Sequence, residues 1–149
     1  MKQLPYYEQK DRENIKKLRT MIQELPPFCV EFFRGIEPQT SSRTRIAYAY
    51  DLHVFFDFLQ KENPMMKKLE KRDLSLSHLD QVQVTDLEEY MEYLKYRFND
   101  RNQEVVNKER GIMRKISCLK SFYNYFYRRE MIKNNPAALV KLPKLHEKE

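Results

Sequence analysis

Glycine is nearly missing from this chain, with two among 149 residues. So little backbone freedom argues against a sheet-rich fold with many tight turns and against a glycine-rich loop wrapped around a phosphate. Cysteine is equally scarce. Cys29 and Cys118 form no Cys-x-x-Cys pair, which points to reduced thiols in a cytosolic setting and away from a disulfide framework. His53, His78 and His146 share no ligand spacing with either cysteine, so neither a metal nor a cofactor is expected. No run approaches the roughly 18 apolar residues of a membrane span, and the charged N-terminus lacks the form of a signal peptide. The expectation is a soluble, cytoplasmic chain without a membrane partner.

What the chain does contain is charge and aromatic bulk. Charged residues make up 34%, apolar residues 41%, and there are 9 Phe and 10 Tyr. Long polar side chains suit exposed helix faces, and a chain of this length can bury one sizeable core. An all-α fold follows. The net charge of +6 is unevenly placed: residues 101–149 carry 12 Lys and Arg against 5 Asp and Glu, and the rest of the chain is close to neutral. Positive charge gathered into the last third suggests a polyanionic partner. Nucleic acid is favoured over a membrane surface, because no segment joins that charge to a broad apolar face.

Periodicity predicts the elements. Ile15, Leu18, Ile22 and Leu25 recur at helical spacing over 11–25, and Pro26-Pro27 stops that helix. A short apolar helix with Phe28, Phe32 and Phe33 follows, with Gly35 as its stop. Residues 40–62 form a longer helix capped by Thr40, Ser41 or Ser42. Tyr48, Leu52, Phe55, Phe56 and Leu59 line one of its sides and Ala47, Val54 and Phe58 the other, the pattern of a central helix. Residues 63–83 have no clear period. Thr85 to Glu88 fit a capping box opening a helix with Leu87, Tyr90, Met91, Leu94 and Phe98 inward. A long helix runs from about Val106 to Arg129, and Pro136 starts a last short one that ends at Leu142-Pro143. The architecture is a four- to five-helix bundle.

One helix face calls for a partner. Over 110–128, Ile112, Ile116, Leu119, Tyr123 and Phe126 share one side, and Arg110, Arg114, Ser117, Ser121 and Arg128 share the opposite one. A solvated face ordinarily mixes signs in i,i+4 Glu–Lys pairs. Here no carboxylate interrupts the stripe, and serine at two mid-helix positions suits a surface that something must approach closely. A DNA major groove is such a surface: Arg reaches phosphate oxygens or guanine edges, and Ser donates to either. The start of the 40–62 helix adds a second positive point, where Arg43 and Arg45 accompany the dipole and free N–H groups of an N-terminus.

Four stretches in order carry a resemblance: SSRTRIAYAYDLHVFFDFL (41–59), VTDLEEYMEYL (84–94), RKISCLKSFYNYFYRREMI (114–132) and NNPAALVKLPK (134–144). Together they resemble the N-terminal core-binding domain of the tyrosine recombinases, the phage integrase group. The resemblance implies a SAM-like bundle closing one side of a C-shaped clamp on double-stranded DNA. It places DNA contacts at Ser42, Arg43, Thr44 and Arg45, and at Arg114, Lys115, Ser117, Lys120 and Ser121. The stripe itself adds Arg110. Lys115 lies off the stripe: helical projection puts it at the edge of the apolar face, where its stem could snorkel outward.

By the same resemblance, residues 1–27 are an N-terminal extension helix, 28–141 the core-binding domain, and 142–149 the start of a linker to a catalytic domain outside this chain. The parent would then break and rejoin DNA strands, and this chain alone would be a non-catalytic monomer. Protomer contacts would belong to the full-length recombinase. The rival expectation, from another class, is a helical protein–protein interaction domain whose basic face meets an acidic partner.

Overall fold

The computed structural model describes residues 4–144. Six α-helices and one minimal hairpin follow in the order α1 (Tyr6–Gln23), α2 (Cys29–Ile36), α3 (Ser42–Glu62), α4 (Leu76–Gln81), α5 (Val84–Lys95), β1 (Arg97–Phe98), β2 (Glu104–Val105) and α6 (Glu109–Arg128). Single 3₁₀ turns sit at Glu37–Gln39, Lys71–Asp73 and Pro136–Leu139. His146 and the last part of the expected linker, 145–149, lie outside the described residues.

The all-α expectation holds, and α3 is central as its two apolar sides require. Ala49, Leu52, Val54, Phe55, Phe56, Phe58 and Leu59 are all buried along it. Helix α1 packs along α3 and contributes Leu18 to the same core, which Leu25 joins just beyond the helix end. Around Phe122 of α6 the aromatic rings pack edge to face, with centroids 5.1 Å from Phe32 and 5.1 Å from Phe126. Each such pair contributes about 0.5–1.5 kcal/mol beyond its area. Burying a Phe side chain contributes roughly 1.5–3 kcal/mol.

Several boundaries differ from the periodic reading, each for a local reason. The unpatterned stretch 63–83 contains α4, whose six residues are too few to display a period. Helix α5 opens earlier than the Thr85–Glu88 box implied: the Gln83 N–H donates to the Asp86 carboxylate at 2.8 Å, so Asp86 is the acid of the cap. It closes at Lys95, where the chain turns into the hairpin that pairs Arg97 with Val105 and Phe98 with Glu104. Phe98 is therefore 45% exposed and not an inward residue. The same hairpin delays α6 to Glu109. Its turn uses Asn102 at φ 57°, a residue that tolerates the left-handed region without glycine.

Gly35 is not a stop. It lies inside α2, and a Cβ there would sit 2.2 Å from the Tyr125 ring, so its role is close approach of α2 to α6. The segment that follows α6 is fastened to α4. The Asp80 carboxylate accepts from the backbone N–H groups of Lys133 and Asn134 at 3.0 and 2.8 Å. Asn135 then caps the last 3₁₀ turn through the Ala138 N–H.

Candidate nucleic-acid interface

Helix α6 is oriented by its apolar side. Ile112, Ile116, Leu119, Phe122, Tyr123 and Phe126 are buried, so the other side must face out. Arg110, Arg114, Ser117, Ser121 and Arg128 are all exposed along it. At 1.5 Å per residue the row is about 27 Å long. Asn124 belongs to the same row: it is exposed and follows Ser117 by seven residues, a spacing that should have placed it there from sequence. Shallow hollows flank the row around Ser121. One is bounded by Ile36, Tyr125, Arg128 and Arg129, the other by Lys120, Asn135 and Ala138. Arg129 itself lies flat on the Tyr125 ring, 3.8 Å from its centroid.

Lys115 does not belong to this surface. Its side chain is 1% exposed, and its ammonium donates to Asp51 Oδ1 on α3 at 2.8 Å, with the Tyr50 ring 4.8 Å away. The expectation of a phosphate contact is corrected on that ground: the charge is already neutralised inside the protein. Asp51 is 1% exposed and takes two cations on one oxygen. The second is Arg114, whose guanidinium donates to the same Oδ1 at 3.1 Å while its side chain stays 57% exposed. One edge of the guanidinium is thus held, and the rest of its donors point outward. The net charge of the three groups is +1, and it is displayed by Arg114.

Lys120 is also occupied. Its ammonium donates to the carbonyls of Ala137 and Val140 at 2.8 and 2.7 Å, tying the outgoing segment to α6. It is half-buried and positions the chain rather than presenting a free charge.

The start of α3 divides in the same way. Ser41 is the cap, accepting from the Thr44 N–H at 3.1 Å, and it also donates to the Thr44 hydroxyl. Ser42 is buried: it donates to Asp11 on α1 at 2.6 Å and accepts from Asn14. Arg45 is buried as well, donating to the carbonyls of Glu37 and Thr40 at 3.1 and 2.5 Å, where it closes the 3₁₀ turn before α3. Neither faces a groove, which corrects both expectations. Half-buried Thr44 serves the cap, and Arg43 is left as the exposed cation of this end. Arg43, Ala47 and Tyr50 share one side of α3, and Tyr50 meets α6 at Lys115. Arg43 therefore stands on the side of α3 that adjoins Arg114.

The reactive groups near the row are shielded. Burial, more than the adjacent Asp51 carboxylate, raises the Cys118 thiol well above its ordinary value, with Lys115 and Arg114 opposing. Burial likewise raises Cys29. Tyr123 is fully buried, donates to the Leu79 carbonyl at 3.1 Å and has its phenol raised by that burial. These groups stay protonated near neutral pH and act as packing.

Residues 7–142 match the family described as the phage integrase SAM-like domain. Among curated proteins the chain is 35% identical over 127 residues to a protein named Tyrosine recombinase XerC from Caldanaerobacter subterraneus, covering 80% of this chain and 35% of that one. It is 31% identical over 113 residues to the protein of that name from Anoxybacillus flavithermus, covering 76% and 31%. To that from Lacticaseibacillus casei it is 32% identical over 121 residues, covering 81% and 34%. The chain spans about a third of the length of these relatives. No solved structure matches it.

Proposed function

This chain belongs to the phage integrase SAM-like domain family of the tyrosine recombinases, and on that premise we propose that it grips duplex DNA for a site-specific recombinase. The single observation that carries the reading is the acid-free outer row of α6, with Arg114 braced by buried Asp51 and small serines on either side of the helix centre. Serine at 117 and 121 lets a groove come close to the backbone, and the arginines above and below reach phosphates or base edges.

The proposed contact set is Arg43, Arg110, Arg114, Ser117 and Ser121 from the original expectation, joined by Asn124 and Arg128. The parent protein, by analogy with the relatives, would break and rejoin DNA strands, with this chain as its non-catalytic grip. A single module of this kind buries roughly 600–1,000 Å². Held only by backbone charge, it binds with a Kd on the order of 10⁻⁴–10⁻⁶ M at physiological salt.

The test is a titration of a duplex into the isotopically labelled chain. Amide shifts should concentrate on Arg43 and on 110–128, and fade as salt rises. Shifts confined to α1, or binding to an acidic protein with none to duplex at low salt, would overturn the reading.

A further inference from the structure

We propose that the hollow between α3, α5 and the hairpin is a phosphate-binding site anchored by Arg97, a residue that neither the stripe nor the family resemblance singled out. Arg97 is 7% exposed, and its Nε is buried without a hydrogen-bond partner. Among the described residues no carboxylate lies in ion-pair range of it. Every other cation on the hollow's wall is matched. Lys71 holds Asp57 at 2.6 Å and Lys61 holds Asp100 at 3.6 Å. His53, a cation only when protonated, bonds the Met21 carbonyl at 2.9 Å. Asp51, the nearby buried carboxylate, is taken by Lys115 and Arg114. With the two lysine pairs cancelled, the wall keeps the Arg97 guanidinium and, at its rim, the exposed Glu24 carboxylate, which is not in ion-pair range of it.

A buried, unpaired guanidinium is among the costliest arrangements a fold can hold. Its planar fork matches an oxyanion, which would supply the missing acceptor. The hollow has room, at about 270 Å³, and Tyr50 and Tyr93 are among its lining residues, their phenols without a hydrogen-bond partner among the described residues. A guanidinium and two phenols offer more donors than the two oxygens of a carboxylate can use. A tetrahedral phosphate brings acceptors in the right number. The same chemistry can arrive as free phosphate or as a phosphate of a DNA backbone, since Tyr50 also borders Lys115 beside the exposed Arg114. The inference does not depend on α6 meeting DNA.

The experiment uses the whole chain and two readouts. Thermal unfolding is followed in inorganic phosphate against chloride at matched ionic strength, and the Arg97 Nε–H resonance is followed with phosphate and, separately, with a duplex. At ten times the dissociation constant, phosphate should lower the unfolded fraction about 11-fold. Arg97→Met should abolish that response and unfold no sooner than the parent chain in chloride. Should that variant fail to fold, the Arg97 resonance of the unaltered chain decides. Movement with phosphate assigns a free-phosphate site, and movement with duplex alone assigns a backbone phosphate. If phosphate acts no differently from chloride and the resonance moves with neither ligand, the proposal is overturned.

Discussion

Replacing Asp51 by Asn should be the most damaging single polar change in the α3–α6 contact. The substitution keeps the shape and removes the charge, leaving the Lys115 ammonium at 1% exposure with no counter-ion and one bond to Arg114 weakened. Breaking one side of a buried pair costs about 3–5 kcal/mol. Native domains have only about 5–15 kcal/mol in total. For a chain of this size that loss corresponds to a fall in Tm of roughly 6–20 °C. The informative partner is the double variant Asp51→Leu with Lys115→Met, which exchanges the pair for apolar groups of similar bulk. Such exchanges are commonly neutral or stabilising by about 1–4 kcal/mol. Urea unfolding followed by far-UV circular dichroism measures both. The single variant should unfold at much lower urea and the double variant near the parent midpoint. A single-variant cost below about 1 kcal/mol, or a double variant no better than the single, would refute the account of an uncompensated buried charge.

Four further outcomes follow from the same geometry. Arg114→Ala should reduce the slope of log affinity for duplex DNA against log salt by about 0.9 if it meets a phosphate. Lys120→Met should leave that slope unchanged while costing about 1.5–3 kcal/mol per lost charged bond to Ala137 and Val140, measured by urea unfolding. Gly35→Ala should force the Tyr125 ring away and cost about 1–3 kcal/mol, and adding Tyr125→Leu should recover much of it. The Cys29 and Cys118 thiols are raised in the folded state by burial, so the folded chain keeps protons that the unfolded chain releases as pH climbs. Their contribution is complete below the unfolded thiol value near 8.5 and declines above it, so the urea midpoint should fall between pH 8 and 10. A midpoint constant over that range would contradict the burial of both thiols.

The long helices were legible because each repeats its apolar residues often enough to show a face. The start of α3 was legible from capping chemistry to within Thr40, Ser41 and Ser42, and the last turn from Pro136 at its first position. Helix α4 and the hairpin were not, since six residues and two-residue strands are shorter than the patterns that reveal them. At the candidate interface, periodicity sufficed to say that Arg110, Arg114, Ser117 and Ser121 face outward. It could not say which cations were already engaged, because their acceptors come from elsewhere in the chain: Asp51 for Lys115, the carbonyls of Glu37 and Thr40 for Arg45, and those of Ala137 and Val140 for Lys120. One signal did exist. A lysine at an apolar edge and an aspartate within an apolar helix each required a counter-charge, and each was the other's.

The mooring of Ala137 and Val140 to Lys120 has a mechanical side. A tug on the backbone at Leu142 does not first peel away a loose tail. It loads the ammonium, and through it the middle of α6, one residue from Ser121 on the outer row. Force along the outgoing segment and grip on a nucleic acid would therefore converge on the same two turns of helix, so that a pull on that segment would loosen the hold and a tightened hold would stiffen the segment.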